Sequence, residues 1–406
     1  MKTNLLTENL KRGLGIVMRG VSAKASLPVL SMVLIKAEKE GLVLQSTDLE
    51  ISLKVKVRAK IEEKGEVIVP AKIFSELVST LPAGSVELAT EKESLTVVGN
   101  KIRANIMGQS SAEFPVLPSA SGKGINLDLV EYKEKMDKVA VAAARDDSRP
   151  VLSGVLWQFN EKEINLVATD GYRLGLDSLK KVEKFEEQNG KRFVLPVRAV
   201  LEMTRIFDQT EGKIGVEVDD EKQQVIFSST EVELSSRLIA GEFPPYQKVI
   251  PSDKKMMITV DREDFMEGVK RAALFARDSA NVVKLNITDG VLKIMADNDQ
   301  TGNTETEVEV LMEGENVKAA FNAKYLLDYL GAINQEKVIL ETEGELKPAV
   351  FKLEGEDLVT TSLLPSKSKA FPYLPRVQAA SVMVPVFALP DLSFAELPVP
   401  SSKSHL

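Results

Sequence analysis

Apolar and polar positions switch between two periods along this chain, and the switching recurs three times. Leu10, Leu14 and Val17 fall at i, i+4 and i+7, with Lys11, Arg12 and Arg19 off that stripe, which predicts an amphipathic helix over 7–19. Val33–Ala37, Leu42–Asp48 and Glu50–Val57 then read as strands, the last alternating cleanly as a half-buried strand does. Val69-Pro70-Ala71-Lys72 opens a second helix whose buried face is Ile73, Phe74, Leu77 and Val78. Further short strands reach Phe114–Pro118, and Ser119–Gly124 has the small, polar make-up of a linker.

The pattern then restarts. A helix over 129–145 turns Met136, Val139, Ala140 and Ala143 inward, and Leu195-Pro196-Val197-Arg198 opens its second helix. A third pass follows Pro251-Ser252-Asp253, with Phe265, Val269 and Ala273 in its first helix and Phe321-Asn322-Ala323-Lys324 opening its second. Val69, Leu195 and Phe321 stand 126 positions apart in succession (195 − 69 and 321 − 195). A period this long implies repeated domains, not a solenoid. The boundaries predicted are 1–122, 125–251 and 254–368, with a divergent, flexible tail over 369–406. Each domain reads as two helices and about eight short strands, an α+β layer with its helices packed on antiparallel sheet.

Val167–Leu176 is the most informative stretch. Asp170-Gly171 between two apolar runs predicts a hairpin with Tyr172 and Arg173 at its edge. An aromatic ring beside a guanidinium is a pairing enriched at protein–protein hot spots. Ser46-Thr47-Asp48 in the first pass and Met295-Ala296-Asp297-Asn298 in the third occupy the same place.

Composition removes whole classes of chemistry. The 406 residues contain no cysteine and one histidine, His405, which excludes disulfides, thiolate catalysis and multi-histidine metal sites. No apolar run suits a membrane span or a signal peptide, and a cytoplasmic location is expected. The net charge of −8 means that contact with nucleic acid must come from a local basic surface. Cations off the buried helical stripes provide one: Arg19, Lys72, Lys138, Arg145, Arg198, Arg205, Lys270, Arg271 and Arg277, with Lys24 and Arg149 in the adjoining segments. If three domains join edge to edge in an arc, these helices share a concave face that attracts phosphates without reading bases.

Leu27-Pro28-Val29-Leu30, Ser46-Thr47-Asp48-Leu49-Glu50, Val69-Pro70-Ala71-Lys72, Ala112-Glu113-Phe114-Pro115, Val167–Leu174, Phe243-Pro244-Pro245-Tyr246 and Phe321–Asp328 closely resemble the bacterial DNA polymerase III β subunits, the sliding clamps. The resemblance spans about residues 1–367. It implies three clamp domains per chain and a head-to-tail dimeric ring around duplex DNA. Such a ring tethers the replicative polymerase α subunit and is placed by a clamp loader. It implies no catalytic site, cofactor or metal. It also implies a cleft for short partner peptides formed by Leu152, Thr169, Gly171, Tyr172, Arg173, Leu174, Pro244, Lys248, Val249, Pro348, Leu364 and Pro365, in which Arg173 hydrogen-bonds the peptide backbone. Leu274 and Phe275 fall where the family closes its dimer. Ser366 stands in place of a usual large apolar residue, and 39 residues follow Lys367 (406 − 367). Two other readings remain open on the residues: an enzyme with Asp48, Asp170 and Asp297 as metal ligands, and a peptide-binding adaptor that never encircles DNA.

Overall fold

In the computed structural model the described residues are 1–22, 27–146, 148–160, 163–183, 190–207, 212–251, 253–277, 280–345, 347–354 and 360–363, with backbone alone at 183 and 360–363. Lys24, Leu364, Pro365, Ser366 and the expected tail lie outside them.

The first pass folds as β1 (Lys2–Leu6), α1 (Thr7–Val17), β2 (Met32–Glu38), β3 (Gly41–Thr47), β4 (Ile51–Val57), β5 (Lys60–Glu63), β6 (Gly65–Pro70), α2 (Ala71–Thr80), β7 (Ser85–Glu91), β8 (Ser94–Gly99) and β9 (Ile102–Met107). The second gives β10 (Ile125–Asp128), α3 (Leu129–Ala140), β11 (Gly154–Phe159), β12 (Ile164–Thr169), β13 (Arg173–Leu179), β14 (Val182–Glu183), β15 (Arg192–Pro196), α4 (Val197–Ile206), β16 (Lys213–Asp219), β17 (Gln224–Ser228) and β18 (Val232–Arg237). The third gives β19 (Met256–Asp261), α5 (Arg262–Ala276), β20 (Val282–Thr288), β21 (Val291–Asn298), β22 (Gly302–Glu309), β23 (Leu311–Gly314), β24 (Val317–Asn322), α6 (Ala323–Ala332), β25 (Lys337–Thr342), β26 (Ala349–Leu353) and β27 (Thr360–Leu363).

The second helices begin at Ala71, Val197 and Ala323, so the 126-residue period is a period of structure. Local chemistry sets several of the starts. The Asp128, Asp261 and Asn322 side chains accept backbone N–H groups of the first turns of α3, α5 and α6. Their apolar stripes bury Tyr132, Met136 and Val139 on α3, and Phe265 and Val269 on α5. In the third domain Phe351 sits between Phe265, Phe321 and Tyr329, with ring centroids 5.6–6.5 Å away. The first two domains share one continuous apolar core, and the third has its own.

Among the described residues all the strand ladders are antiparallel, and they assemble into four sheets. Two have nine strands and cross domain boundaries. One joins the first domain to the second where β4 pairs with β18, and the other joins the second to the third where β13 pairs with β27. The remaining sheets are β5-β1-β7-β8-β9 in the first domain and β22-β21-β20-β24 in the third.

Some expectations need correction. The helix expected over 129–145 stops at Ala140, because the chain tightens: Ala142 N–H donates to Val139 O, and Ala144 N–H to Leu152 O, 2.9 Å away on the returning segment. Ile73, expected on the buried face of α2, is 57% exposed. Phe351→Ala should destabilise the third domain by about 3–5 kcal/mol, the range for removing a buried aromatic ring. Denaturant unfolding checks this, and a loss under about 1 kcal/mol would contradict the packing described.

Candidate functional site

The Thr-Asp turns share one hydrogen-bond scheme. In the second domain Asp170 Oδ1 accepts the N–H groups of Tyr172 and Arg173 at 2.9 and 3.0 Å. Thr169 Oγ1 accepts from Gly171 N–H and donates to the carbonyl of Arg173. In the first domain Asp48 Oδ1 accepts from Glu50 and Ile51, while Thr47 Oγ1 accepts from Leu49 N–H and donates to the carbonyl of Ile51. The residue after each aspartate is left-handed: Gly171 at φ 91° and Leu49 at φ 76°. Leucine carries a steric cost there of about 1–2 kcal/mol that glycine avoids. The expected two-residue Asp-Gly hairpin is therefore a longer turn, with Thr169 pairing Leu174 across it. In the third domain the acceptor is Asn298, which takes the N–H groups of Gln300 and Thr301, while Asp297 pairs with Lys284. Asp48, Asp170 and Asp297 stand in three separate domains, each beside a basic side chain.

The turn after β12 lies at a domain junction, because β13 is also the strand that pairs with β27. Its two predicted edge residues separate. Tyr172 is 61% exposed, whereas Arg173 is buried, so the latter is not free to bind a ligand backbone. Arg173 Nε donates to Asp170 Oδ2 at 3.0 Å, and Nη1 donates across the junction to Asp328 Oδ2 on α6 at 2.9 Å. Its guanidinium lies 4.4 Å from the Tyr325 ring centroid, a cation–π contact on the same helix. Asp328 also receives Lys324 Nζ at 2.9 Å and lies 3.7 Å from Arg145. Burial pushes the Asp328 carboxyl up, but hydrogen bonds and charge from Lys324 and Arg173 outweigh it and hold the group below the usual carboxylate range.

An apolar cluster lies beside the turn. Leu156, Val167, Leu174, Leu176, Val194, Phe243 and Tyr246 are buried together, with Val151, Ile239, Val249 and Ile250 half-buried against them. Of the residues expected in the cleft, Leu152 and Leu174 are buried, Thr169, Gly171, Pro244, Val249 and Pro348 are half-buried, and Tyr172 and Lys248 are exposed. The Ala349–Leu363–Arg173 ladder puts Pro348 and Tyr172 at the same end of three neighbouring strands. Arg149, expected to face nucleic acid, is exposed, donates to the carbonyl of Asp170 at 3.2 Å and covers Gly171.

The expected basic surface divides in the same way. Lys138 is 3% exposed and bonded to Glu134 at 3.0 Å, which removes it from any open face. Its position falls on the side of α3 that packs onto protein. Arg19, Lys72, Arg145, Arg198, Arg205, Lys270, Arg271 and Arg277 are exposed. Several of them touch carboxylates: Arg19 and Arg205 share Glu202, Lys270 meets Glu267, and Arg198 reaches Asp48 at 2.5 Å. Leu274 is 59% exposed, while Phe275 packs partly into the third core. The inter-domain struts Asp328 and Tyr325 escaped sequence reasoning. Tyr325 looked like an ordinary apolar-face residue, and Asp328 like one more charge on a helix.

Models of the N-terminal, central and C-terminal domains of DNA polymerase III beta subunit match residues 1–118, 126–245 and 247–367. A beta sliding clamp of Staphylococcus aureus is 29% identical over 363 residues, covering 86% of this chain and 95% of that protein. Among solved structures, the DNA polymerase sliding clamp from Bacillus subtilis superposes with a TM-score of 0.85 at 26% identity, covering 91% of this chain and 99% of its own. The DNA polymerase III beta subunit from Thermotoga maritima gives 0.82 at 28% identity, covering 90% and 99%.

Asp328→Asn should loosen the turn from α6. Arg173 would keep Asp170 but meet a neutral amide oxygen across the junction, a loss of about 1 kcal/mol, the difference between hydrogen bonds to charged and neutral acceptors. Hydrogen exchange at 170–174 should accelerate, and unchanged protection would contradict the strut. The sign with pH follows from the lowered Asp328 pKa: its contribution is full above the unfolded carboxylate range and is lost as pH falls through the depressed value.

Proposed function

The chain belongs to the DNA polymerase III beta subunit family, the bacterial DNA sliding clamps, and from that premise we propose how it works. Two copies close head to tail into a ring of six domains around duplex DNA. The ring does no chemistry of its own. It binds a replicative polymerase through the cleft at the second junction and keeps it at the primer end, so that rebinding becomes an intramolecular event at high effective concentration.

The observation that carries ring closure is the pair of unfinished sheets. The first domain's free sheet has five strands and ends at β9, and the third domain's has four and ends at β22. Joined, they make nine, the size of both sheets that already bridge domains. An open strand edge invites pairing, and closing the ring removes both edges. Exposed apolar side chains accompany these edges: Met107 on β9 is 75% exposed, and Leu274 on α5, the helix packed over β22, is 59% exposed. A non-encircling adaptor would leave both edges open.

DNA is held loosely. The exposed arginines and lysines are mostly paired with neighbouring carboxylates, and such surface pairs are worth about 0–1 kcal/mol. A phosphate can therefore replace a carboxylate at little cost, and one contact can be exchanged for the next as the ring slides. At the cleft, the half-buried Val249, Pro244 and Pro348 with exposed Tyr172 suit an extended peptide bearing one or two large apolar anchors. Clamp loader and repair proteins would present such peptides to the same place. Arg173 acts beneath the surface, fixing the turn that carries Tyr172.

The ring reading is tested by loading the protein onto nicked circular DNA with its clamp loader and then linearising the circle. Retention on the circle and release after cutting is the expected result, and equal retention on both would contradict encirclement. Tyr172→Ala should weaken a polymerase-derived peptide about tenfold, the scale for truncating an aromatic hot spot. Fluorescence anisotropy measures it, and unchanged affinity would overturn the cleft assignment.

A further inference from the structure

We propose that the first interior junction carries a second docking surface, built from the same elements as the cleft one repeat earlier, for an extended peptide with large apolar anchors and basic flanks. Only the class of ligand rests on the cleft reading above.

The two junctions share their parts. Pro28–Ser31 and Pro150–Ser153 are the same Pro-Val-Leu-Ser turn, each with its serine hydroxyl donating to the proline carbonyl at 2.7 Å. On the strands that follow, Leu34 lies opposite Ile68 as Leu156 lies opposite Val194. Phe114 is buried with Leu34 and Ile68, and Phe243 with Leu156 and Val194, and a proline follows each phenylalanine. Val29 and Leu117 pack half-buried on the first of these clusters, which brings their exposed neighbours Leu27 and Val116 to one region of the surface. Both junctions also carry a Thr-Asp turn with one hydrogen-bond scheme.

The rims differ. At the cleft Arg149 covers Gly171, with Nη2 3.3 Å from where a Cβ would stand. In the first domain leucines hold both places: Leu27 precedes its turn as Arg149 does, and Leu49 follows its aspartate as Gly171 does. Leu27 is 51% exposed and Leu49 42%. Leu49 is held left-handed at φ 76°, although the same turn forms with glycine there. A strained residue that buries only part of its side chain adds little to the fold, and retained strain of this kind points to function. Charge selects the occupant. Lys248, five positions after Phe243, is matched by Ser119, five after Phe114, and Tyr172 by the exposed Glu50. Lys54, in the place of Leu176, is turned to Glu233 at 3.5 Å and Ser119 at 3.1 Å, so the apolar surface is at the turn and not in a deep groove. Glu233 Oε2 is buried with no hydrogen-bond partner among the described residues. Arg198 is tied to Asp48, and Arg237 is exposed on β18. Relative to the cleft, Arg149 and Lys248 are gone and a carboxylate is gained. Carboxylates beside the anchors therefore suit the cleft, and lysines suit the first junction. Leu27 and Leu49 are on neither ring-closing strand.

The experiment is fluorescence anisotropy of the full chain with two labelled peptides that share a Leu-Ala-Leu-Phe centre, one flanked by lysines and the other by aspartates. Wild type is compared with Leu27→Ser, Leu49→Gly and Tyr172→Ala. Each leucine variant should weaken the lysine-flanked peptide about tenfold, the scale of a truncated anchor, and leave the aspartate-flanked one within about twofold. Tyr172→Ala should do the reverse. Leu49→Gly relieves the left-handed backbone and should melt no lower than wild type, which separates lost binding from lost folding. A lysine-flanked peptide that does not bind, or that responds to Tyr172→Ala and not to the leucine variants, would overturn the second surface while leaving the cleft in place. An aspartate-flanked peptide indifferent to Tyr172→Ala would instead overturn the cleft reading. A surface that joins copies of this chain would show as slower sedimentation of unliganded Leu27→Ser, and that result also overturns the proposal.

Discussion

An unpaired strand edge exposes a row of N–H and C=O groups that must find partners, and this need organises the molecule. Each domain ends in such edges. At the two interior junctions one domain's edge is completed by its neighbour, giving sheets of nine strands that ignore domain boundaries. The register is the same at both junctions, so each new domain is added by the same operation. Repeating one operation must lead to closure or to an open filament. Six domains close in the ring proposed here, which pairs the β9 and β22 edges that one chain leaves open.

Charge works on top of that frame at two strengths. Between domains, ionic contacts are close and partly buried: Arg173 is held by Asp170 and Asp328 and stacked on Tyr325, which couples the turn between Thr169 and Leu174 to the third domain. A residue expected to touch ligand is buried in the structure, where it braces the turn that carries Tyr172. On the open helical faces, contacts such as Lys270 with Glu267 are solvated and weak. A clamp needs this division, with rigid junctions to keep the ring shut and exchangeable cations to let DNA move through it. An acidic chain can do this because only the sign of a local surface matters to a phosphate, not the net charge.

Much of this was legible in the sequence. Whole-domain repetition followed from the spacing of Val69, Leu195 and Phe321, because the strand-to-helix turn they mark has little tolerance for insertion. Strands such as Ile51–Val57 announced themselves by alternation. Other features were hidden because they depend on distant residues. Nothing local to Arg173 says that Asp328, 155 positions away, will cover it. Lys138 looked like an exposed cation on a helix, yet its side of α3 packs onto protein. The helix over 129–145 ended early because the carbonyl of Leu152 competes for Ala144 N–H, which no helical periodicity can reveal. Asn298 was masked by its neighbour Asp297, since the turn needs an acceptor oxygen and not a charge.

The absence of cysteine from the chain makes one measurement direct. Residues opposite one another in an antiparallel ladder have Cα atoms roughly 4.5–5.5 Å apart, within reach of a disulfide. In the ring proposed here, Asp297 stands in the place of Thr47 and Thr169 and Gly302 in that of Ile51 and Arg173, while Ile106 stands in that of Ser236; the register of the interior junctions then sets Thr304 opposite Ala104 of a second copy. The variant carrying Ala104→Cys and Thr304→Cys should, on mild oxidation, give a covalently closed dimer that survives denaturant. No cross-link, or one formed equally well by Ala104→Cys with Thr306→Cys, would contradict the account that the ring closes by repeating its interior junctions.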